Sequence, residues 1–450
     1  MFERVFKLSE HKTTVKTEVM AGITTFMTMA YILAVNPSVL GSTGMDTTAV
    51  LLATALASCL GTLCMAFMAN LPFALSAGMG LNAFMAYTVV AGYGYSWQVA
   101  LLAVFIEGLL FIVLSLTNVR EAIFNAIPLT LKKGVSVGIG LFIAFIGLQN
   151  SGLCVDSATL VGIISFPENF HTAGICALLT LIGLFFTAVF YTRKMKGAIL
   201  YGILLTWILG MLCQVTGLYV PTPDAGFYSL FPSWGMTDFS KLGLTFGQCF
   251  NVDFSAVGIV NFIVVIFSFL FVDIFDTLGT LIGVATKAKM LDKDGKLPGI
   301  KPALLADSIA TSAGAILGTS TTTTFVESAS GVAVGGRTGL TALVTGILFL
   351  VSTLFAPIFT AIPSFATAPA LIMVGFLMVG TVTEINFDLD NLTESIPAYL
   401  AIIAMPLFYS ISEGIAIGII SWTIINVITG KAKEKKISPL MYVLTVLFIL

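Results

Sequence analysis

Long apolar stretches alternate with short polar connections along the whole chain. Stretches of about 20 apolar residues are long enough to cross a ~30 Å hydrocarbon layer as helices. This pattern predicts an all-α polytopic membrane protein with fourteen transmembrane segments. The segments are predicted at residues 18–37, 47–69, 70–90, 97–119, 131–150, 171–191, 197–216, 257–286, 302–317, 318–335, 338–362, 366–382, 396–411 and 413–429.

Two stretches lie outside these segments. Residues 217–254 are polar and rich in glycine, proline and aromatic residues, which predicts a loop between the seventh and eighth segments. Residues 440–450 are apolar but too short to cross the membrane when straight, so we expect them to lie along its interface.

The composition excludes a soluble globular protein and several functional classes. The 450 residues are 57% hydrophobic and only 10% charged, with a mean hydropathy of +1.02. The formal net charge of −2 indicates no nucleic-acid partner. The six cysteines and two histidines lack metal-binding spacing, and no nucleophile–base pair or phosphate-binding loop is recognisable. We therefore predict no metal, no cofactor and no enzymatic activity.

The basic residues predict the orientation of the chain. With fourteen segments and a cytoplasmic N-terminus, 20 of the 21 Lys and Arg residues fall on the cytoplasmic side. Lys241 is the exception and falls outside. We therefore predict a multi-pass protein of the cell membrane, in contact with lipid, with both termini in the cytoplasm.

The spacing of the segments predicts an internal repeat. Fourteen segments divide into two halves of seven. Because each half has an odd number of segments, the second half crosses the membrane in the opposite orientation to the first. The third and tenth segments, which hold matching positions in the two halves, are both interrupted. Inverted repeats with broken helices at the midplane are common in secondary transporters. We therefore predict a 7+7 inverted repeat with a substrate site where the interrupted segments meet.

The interruption in the third segment begins at Pro72, which lacks a backbone donor, and continues through Gly78 and Gly80, which weaken a helix. A helix that resumes near Asn82 would present backbone N–H groups and an amide to a ligand rich in acceptors. The alternative is that the glycines only permit close packing of neighbouring helices.

The interruption in the tenth segment is a threonine run. Residues 319–324 contain five threonines, whose β-branched side chains favour extended backbone. Extended backbone is tolerated at membrane depth only where protein covers it or where it lines a cavity. We expect Glu327 in the first turn of the following half-helix, where the helix dipole stabilises an anion. The alternative is an ordinary loop with Glu327 near the surface.

The eighth segment carries Asp273 and Asp276, three residues apart on one helix face. A charge at the bilayer centre costs ~2.5–3.5 kcal/mol on insertion scales, so such residues usually face a cavity and function there. Either acid, or Glu327, is a candidate to bind and release a coupling proton. A packing role bonded to neighbouring groups is an equal alternative for Asp273. For Glu107 and Asp307 we favour structural or gating roles.

Four motifs together with the first segment carry a family resemblance. The motifs SAGMGLNAFMAY, FVDIFDTLGTL, ADSIATSAGA and TTTTFVESASGVAVGGRTGL, and the opening AGITTFMTMAYILAVNP, resemble the AzgA-like branch of the nucleobase/cation symporters (the nucleobase-ascorbate transporter superfamily). That branch comprises adenine, guanine and hypoxanthine permeases. The resemblance covers nearly the whole chain, and the combination of motifs is highly specific.

The resemblance implies a division of the chain into two domains. A core domain would comprise residues 1–130 (segments 1–4) and 256–362 (segments 8–11), and a gate domain residues 131–217 (segments 5–7) and 363–430 (segments 12–14). Residues 218–255 would form an extracellular linker and residues 431–450 a C-terminal tail. Short antiparallel strands in segments 3 and 10 would flank the substrate. Gate-domain surfaces would allow a homodimer.

The resemblance also implies site residues. Matched by motif, Gly80, Asn82, Asp276 and Glu327 hold the positions that bind substrate in the family. Thr280 and Ser328 match neighbouring polar positions of the family's binding site.

The function that these observations predict is import of purine nucleobases by proton symport, with alternating access between core and gate domains. One alternative is an anion or other small-solute permease of the same architecture, although two site acids disfavour an anionic substrate. Another alternative is a channel.

Overall fold

The computed structural model describes residues 2–117, 126–157, 160–223, 226–232, 235–253, 257–287, 290, 297–387, 389–435 and 437–449, with the backbone alone at 278, 279, 282, 283, 286 and 287. Several predicted features lie outside these residues. They are the end of the fourth segment at 118–119 and five of the basic residues counted above, Arg120, Lys289, Lys293, Lys296 and Lys436.

The first part of the chain is helical apart from three short strands. Its elements are α1 (Phe2–Phe6), α2 (Val15–Met29), α3 (Ile32–Gly41), α4 (Thr47–Cys64, continued by a π-helical turn, Met65–Ala69), β1 (Leu75–Ala77), α5 (Met79–Ala83, continued by π-helical turns, Phe84–Gly92), α6 (Trp97–Thr117), α7 (Leu129–Asn150), β2 (Cys154–Ser157), β3 (Leu160–Ile163), α8 (Ile175–Thr192, preceded by a π-helical turn, Phe170–Gly174) and α9 (Ala198–Val215).

The second part is likewise helical, with one short strand. After the 3₁₀ turns Phe239–Leu244 and Gln248–Phe250, its elements are α10 (Ile259–Lys287), α11 (Ile300–Leu317), β4 (Thr322–Thr324), α12 (Ser328–Val334), α13 (Gly339–Ser352), α14 (Ala356–Phe359), α15 (Ser364–Val379), α16 (Leu392–Leu407), α17 (Ile411–Ile428) and α18 (Pro439–Ile449), with further 3₁₀ turns at Thr353–Phe355, Gly380–Glu384 and Leu389–Asn391.

Eleven helical stretches among the described residues are long and apolar enough to cross a membrane. Three shorter apolar helices accompany them, Met79–Gly92, Leu392–Leu407 and Pro439–Ile449. The chain is therefore a mostly helical, multi-pass membrane protein. The count of fourteen segments stays a prediction, because the third and tenth segments each consist of a strand and a short helix, and the thirteenth corresponds to a helix of only 16 residues, Leu392–Leu407.

The two interrupted segments meet through their strands. β1 and β4 pair antiparallel, with Leu75 opposite Thr324 and Ala77 opposite Thr322. The amide of Gly78 donates to the carbonyl of Thr321 at 2.9 Å, and that of Phe325 to the carbonyl of Ala74 at 3.0 Å, so the ladder extends beyond both strands. All six strand residues are buried. Because this backbone is buried, each strand needs the other to bond its polar groups.

Two threonines on neighbouring helices bond the outer edges of this strand pair. The hydroxyl of Thr62, on α4, accepts from the amide of Leu75 at 3.0 Å and donates to its carbonyl at 3.1 Å. The hydroxyl of Thr311, on α11, accepts from the amide of Thr322 at 3.3 Å and donates to its carbonyl at 3.1 Å. Each strand thus begins with a residue whose amide and carbonyl are both satisfied by one hydroxyl from the preceding helix.

Among its described residues, the connection between the seventh and eighth predicted segments contains short 3₁₀ turns and an isolated antiparallel bridge between Thr222 and Phe227. It is tied to the bundle by Lys241, whose Nζ lies 3.1 Å from Asp46 Oδ2 at the start of α4. Burial acts to raise the pKa of Asp46, but hydrogen bonds from the Ala49 amide and from Lys241 outweigh it and keep that pKa below its ordinary value. This ion pair joins the one basic residue predicted outside to the end of a membrane helix.

One element differs from the sequence predictions, and the structure adds helix contacts for another. β2 and β3 form an antiparallel hairpin between the fifth and sixth segments, where we predicted only a connection. The C-terminal helix α18, predicted at the membrane interface, packs against α17, where the hydroxyl of Thr445 donates to that of Thr423 at 2.7 Å. It also reaches α10, where the rings of Phe271 and Phe448 lie 4.8 Å apart. The hairpin forms between neighbouring stretches of the chain, whereas α18 is placed by its contacts with α17 and α10.

The first membrane helix is anchored to α13 through a buried carboxylate. Glu18 is 0% exposed and accepts hydrogen bonds from the amides of Arg337, Thr338 and Thr341 at 2.9, 3.3 and 3.2 Å. The hydroxyl of Thr341 donates to the same carboxylate at 2.6 Å. The first N–H groups of a helix have no partner within it, so Glu18 serves as their acceptor from another segment.

We predict that Glu18→Ala lowers the thermal unfolding midpoint of the detergent-solubilised protein by several degrees. Each buried donor that loses its acceptor costs ~1–3 kcal/mol. Glu18→Gln keeps one acceptor oxygen and should lower the midpoint less. The control is Glu10→Ala, because the Glu10 side chain is 65% exposed and lies 3.4 Å from Lys7 Nζ at the surface. Equal midpoints for Glu18→Ala and the control would contradict this role.

Candidate functional site

A cavity of about 700 Å³ lies against the paired strands. One wall comes from the two interrupted segments and includes Gly78, Gly80 and residues 323–327. The opposite wall is formed by α7, with Ile139 and Ile143, and by α15 with Met378. A volume of this size accommodates a small organic molecule.

Glu327 lines the cavity from the start of α12. It occupies the position immediately before the helix, with φ −59° and ψ −19°, and is half-buried. The hydroxyl of Tyr31 donates to its Oε1 at 2.8 Å. The alternative that placed Glu327 on an ordinary surface loop is excluded, because its carboxylate is bonded inside the bundle.

Asp276 lines the same cavity from the middle of α10 and is also half-buried. The hydroxyl of Thr323, in β4, lies 3.4 Å from its Oδ2. A Cβ added at Gly78 would lie 3.0 Å from the Thr323 hydroxyl oxygen and 3.3 Å from Asp276 Oδ2. The absence of a side chain at Gly78 therefore lets the strand pair approach the carboxylate closely.

Asp273 faces away from the cavity. It is 0% exposed, and the hydroxyl of Thr277 donates to its Oδ1 at 2.6 Å. The same hydroxyl lies 3.3 Å from both carboxylate oxygens of Asp307, on α11, which is also fully buried. Two acids three residues apart on one helix thus point into different surroundings, one to the cavity and one to a packed polar cluster.

The remaining predicted site residues divide between the cavity wall and the layer behind it. Gly80 and Thr280 line the cavity. Asn82 is buried behind the wall, with Nδ2 3.4 Å from the carbonyl of Ala77. The hydroxyl of Ser328 is buried and accepts from the amide of Ala74 at 3.0 Å. In this conformation Asn82 and Ser328 support the backbone around the cavity and do not line it.

Glu107 takes part in the strand region from α6. Its Oε2 accepts from the hydroxyl of Thr321 at 2.9 Å, and its side chain is fully buried. This agrees with the structural role favoured from the sequence.

Several lining residues were not singled out from the sequence. They include Thr28, Tyr31, Thr323, Ser330, Ile139 and Tyr191. Thr28 and Tyr31 are polar side chains three residues apart in an apolar helix, which is a usable signal. For Ile139 and Tyr191 there is no such signal, since apolar and aromatic residues are common throughout the chain.

The far end of the cavity reaches the surface beside α7. Lys132, Lys133 and Glu384 line this end, and Lys133 Nζ lies 3.2 Å from Glu384 Oε2. The Glu384 side chain is 62% exposed. The cavity is therefore open toward a charged surface and closed at the strand pair.

A helical membrane protein whose two broken segments meet beside a cavity of this size has the construction of a membrane permease. The chain belongs to the Permease family, whose model matches residues 16–417. The resemblance to the AzgA-like purine permeases is thereby confirmed, and the protein is a transporter rather than an enzyme.

Curated relatives match over nearly their full lengths. The guanine/hypoxanthine permease PbuG of Bacillus subtilis (strain 168) is 47% identical over 455 residues, covering 99% of this chain and 98% of the relative. The adenine permease AdeP of Escherichia coli (strain K12) is 42% identical over 454 residues, covering 100% and 95%.

A solved structure shares the fold at low sequence identity. The transmembrane domain of a cyanobacterium bicarbonate transporter, BicA, aligns with a TM-score of 0.63 and 16% identity, covering 90% of this chain and 97% of that chain. At this identity the similarity concerns the fold alone.

We predict that a cysteine introduced at Ala329 reacts with a water-soluble maleimide in the solubilised protein, because Ala329 lines the open cavity. The matched control is Ala310→Cys, since Ala310 is 0% exposed within α11. Labelling is measured by mass spectrometry against the unsubstituted protein, which carries six cysteines of its own. Equal labelling at both positions would contradict the cavity described above.

Proposed function

We propose that the protein is a secondary active transporter that imports purine nucleobases by proton symport. The observation that carries this proposal is that Asp276 and Glu327, from two different segments, line one cavity beside the backbone of Gly78 and Gly80. It is supported by the relatives named as adenine and guanine/hypoxanthine permeases.

The chemistry of the cavity suits a neutral heterocycle. A purine presents N–H donors and ring or carbonyl acceptors along the edges of a flat ring. The carboxylates of Asp276 and Glu327 would accept from N–H groups, while the first N–H groups of α5, near Gly80, have no partner within the helix and would serve an acceptor. Thr280 adds a hydroxyl to the same wall. A site that pairs several such groups rejects analogues that leave them unpaired.

Asn82 and Ser328 are proposed to act from behind the wall. Ser328 bonds the amide that precedes β1, and Asn82 lies in α5 next to Gly80. Both would keep the backbone in the shape that receives the purine. Asn82 would contact the base directly only if α5 shifts during transport.

The architecture proposed for the whole chain is a 7+7 inverted repeat of fourteen segments. The paired threonine bonds support it: Thr62 in the second predicted segment serves the strand of the third, and Thr311 in the ninth serves the strand of the tenth. Because nine is two plus seven and ten is three plus seven, the two halves use the same device at matching positions.

Alternating access is proposed to follow from movement of a core domain (1–130 and 256–362) against a gate domain (131–217 and 363–430). The cavity lies between Asp276 and Glu327 of the proposed core and Ile139 and Met378 of the proposed gate. With both termini cytoplasmic, the open end beside Lys133 faces the cytoplasm, so this conformation would be inward-facing. A homodimer through the gate domain is part of the same proposal.

The coupling proton is proposed to reside on one of three acids. Asp276 and Glu327 are adjacent to the substrate, and Asp273 lies in the buried cluster with Thr277 and Asp307. A proton that neutralises one acid as the purine binds lowers the net charge that the core domain must move past the apolar surface of the gate domain. Two carboxylates facing the cavity disfavour an anionic substrate, since like charges repel at close range.

We predict that Glu327→Gln and Asp276→Asn each reduce uptake of tritiated purines by about 10–100-fold, which corresponds to loss of a hydrogen bond to a charged group. Uptake of adenine, guanine and hypoxanthine is measured in cells that lack their own purine transporters. Glu10→Gln is the control, because Glu10 lies at the surface. Unchanged uptake by both site variants, at equal amounts of protein in the membrane, would contradict the assignment.

Competition by unlabelled bases in the same assay identifies the preferred purine. Bases that share the N–H edge bound by the carboxylates should compete, and uric acid, which carries a negative charge near neutral pH, should compete poorly. Strong competition by an anion would favour the anion-permease alternative.

We predict that purified protein in vesicles accumulates purine when the outside is made acidic relative to the inside. A proton uncoupler should abolish accumulation while leaving counterflow exchange intact, because exchange needs no net proton movement. The measurement is repeated with a sodium gradient at equal pH on both sides. Accumulation driven by sodium alone would contradict proton coupling, and ion currents far above carrier turnover would favour a channel.

A further inference from the structure

The first membrane segment has the junction of two helices, α2 and α3, beside the cavity. α2 ends at Met29 and α3 begins at Ile32, so Tyr31 lies at the junction between them. Tyr31 is 1% exposed, and its hydroxyl donates to Glu327 Oε1 at 2.8 Å across 296 residues of sequence. The side chain also lines the cavity. Because this hydroxyl bonds a carboxylate that lines the cavity, its removal would alter the site.

The same face of the first segment also holds the backbone of Glu327. The hydroxyl of Thr28, three residues before Tyr31, lies 2.8 Å from the hydroxyl of Ser330 and 3.5 Å from the carbonyl of Glu327. The hydroxyl of Ser330 donates to that carbonyl at 2.6 Å. The start of α12 is thus joined to the first segment by the hydroxyl contact between Thr28 and Ser330, and by the hydrogen bond from Tyr31 to the Glu327 carboxylate.

These contacts restrict how Glu327 can act. A carboxylate has two oxygens, and Tyr31 occupies Oε1. With the main chain and one oxygen fixed, the direction of Oε2 is set as well. A hydrogen bond to a charged acceptor is stronger than a neutral one, which makes this orientation persistent.

We infer that Tyr31 is a positioning residue for purine binding: its hydroxyl orients Glu327 so that Oε2 points at an N–H group of the substrate. This inference rests on the proposed function and deepens it, since it assigns a role to the first segment. Tyr31 acts through Glu327 and makes no bond to the base itself. Correct placement of a binding group changes the affinity for substrate by a large factor, because a misdirected acceptor leaves the substrate's N–H donor unpaired.

Tyr31→Phe isolates the hydroxyl, because phenylalanine retains the ring and its packing. We expect the dissociation constants of adenine and hypoxanthine, measured by calorimetry on the purified full-length protein, to rise about tenfold. The matched control is Tyr219→Phe. Tyr219 is 2% exposed and donates to the carbonyl of Tyr228 at 2.7 Å, in the connection that follows α9. The control should leave both constants unchanged.

A double-mutant cycle separates positioning from packing. In a Glu327→Gln background, Tyr31→Phe should change the dissociation constants by less than twofold, because the group through which Tyr31 acts is already altered. An equal tenfold effect in both backgrounds would overturn the inference and indicate direct contact or packing. No effect of Tyr31→Phe in the native background would also overturn it.

A ligand-free measurement keeps this inference distinct from the proposed function. In infrared difference spectra between two pH values, the Glu327 carboxyl band is identified as the band that Glu327→Gln removes. We expect Tyr31→Phe to shift that band and Tyr219→Phe to leave it in place. An unshifted band overturns the role of Tyr31 even where binding to Glu327→Gln is too weak for the cycle. Absence of purine binding by the native protein, with a shifted band, would instead contradict the proposed function.

Discussion

The structure depends on one constraint, which is that extended backbone inside a membrane must find all its hydrogen bonds within the protein. Neither β1 nor β4 can satisfy itself, and three residues each are too few for an independent sheet. They satisfy one another, and Thr62 and Thr311 satisfy their first residues from neighbouring helices. This requirement brings two segments about 250 residues apart into a fixed register. The cavity, its glycines and its acids are all positioned by that register.

The constraint also explains where charge is tolerated. Asp276 and Glu327 adjoin a cavity that reaches the surface, so their solvation is not lost completely. Glu18, Glu107 and Asp273 are fully buried, and each accepts hydrogen bonds from threonine hydroxyls or backbone amides. A buried carboxylate without such donors would cost several kcal/mol. The abundance of threonine in this chain supplies donors where arginine or lysine would be too costly to bury.

The sequence predicted the two interrupted segments and their acids, but not the contacts around the cavity. Asp273 and Asp276 lie on one helix face, and the sequence left a packing role and a cavity role equally open for Asp273. The rotation of α10 against α11 decides between them, because it turns Asp273 and Thr277 of α10 toward Asp307 of α11 and leaves Asp276 facing the cavity. Tyr31 was missed for a related reason, since its partner lies 296 residues away. The hairpin β2–β3 was missed because four-residue strands carry little periodic signal.

The sequence by itself determined that the chain is a polytopic membrane protein, that two of its segments are broken, and which family it belongs to. These conclusions follow from hydropathy, from glycine, proline and threonine at particular positions, and from motifs, all of which are local properties. Only the tertiary structure decided that Gly80, Thr280, Asp276 and Glu327 line the cavity while Asn82, Ser328 and Asp273 lie behind it. The physical reason is that a side chain's surroundings depend on the rotation of its helix against helices distant in sequence, and that rotation is fixed by packing and by hydrogen bonds between segments.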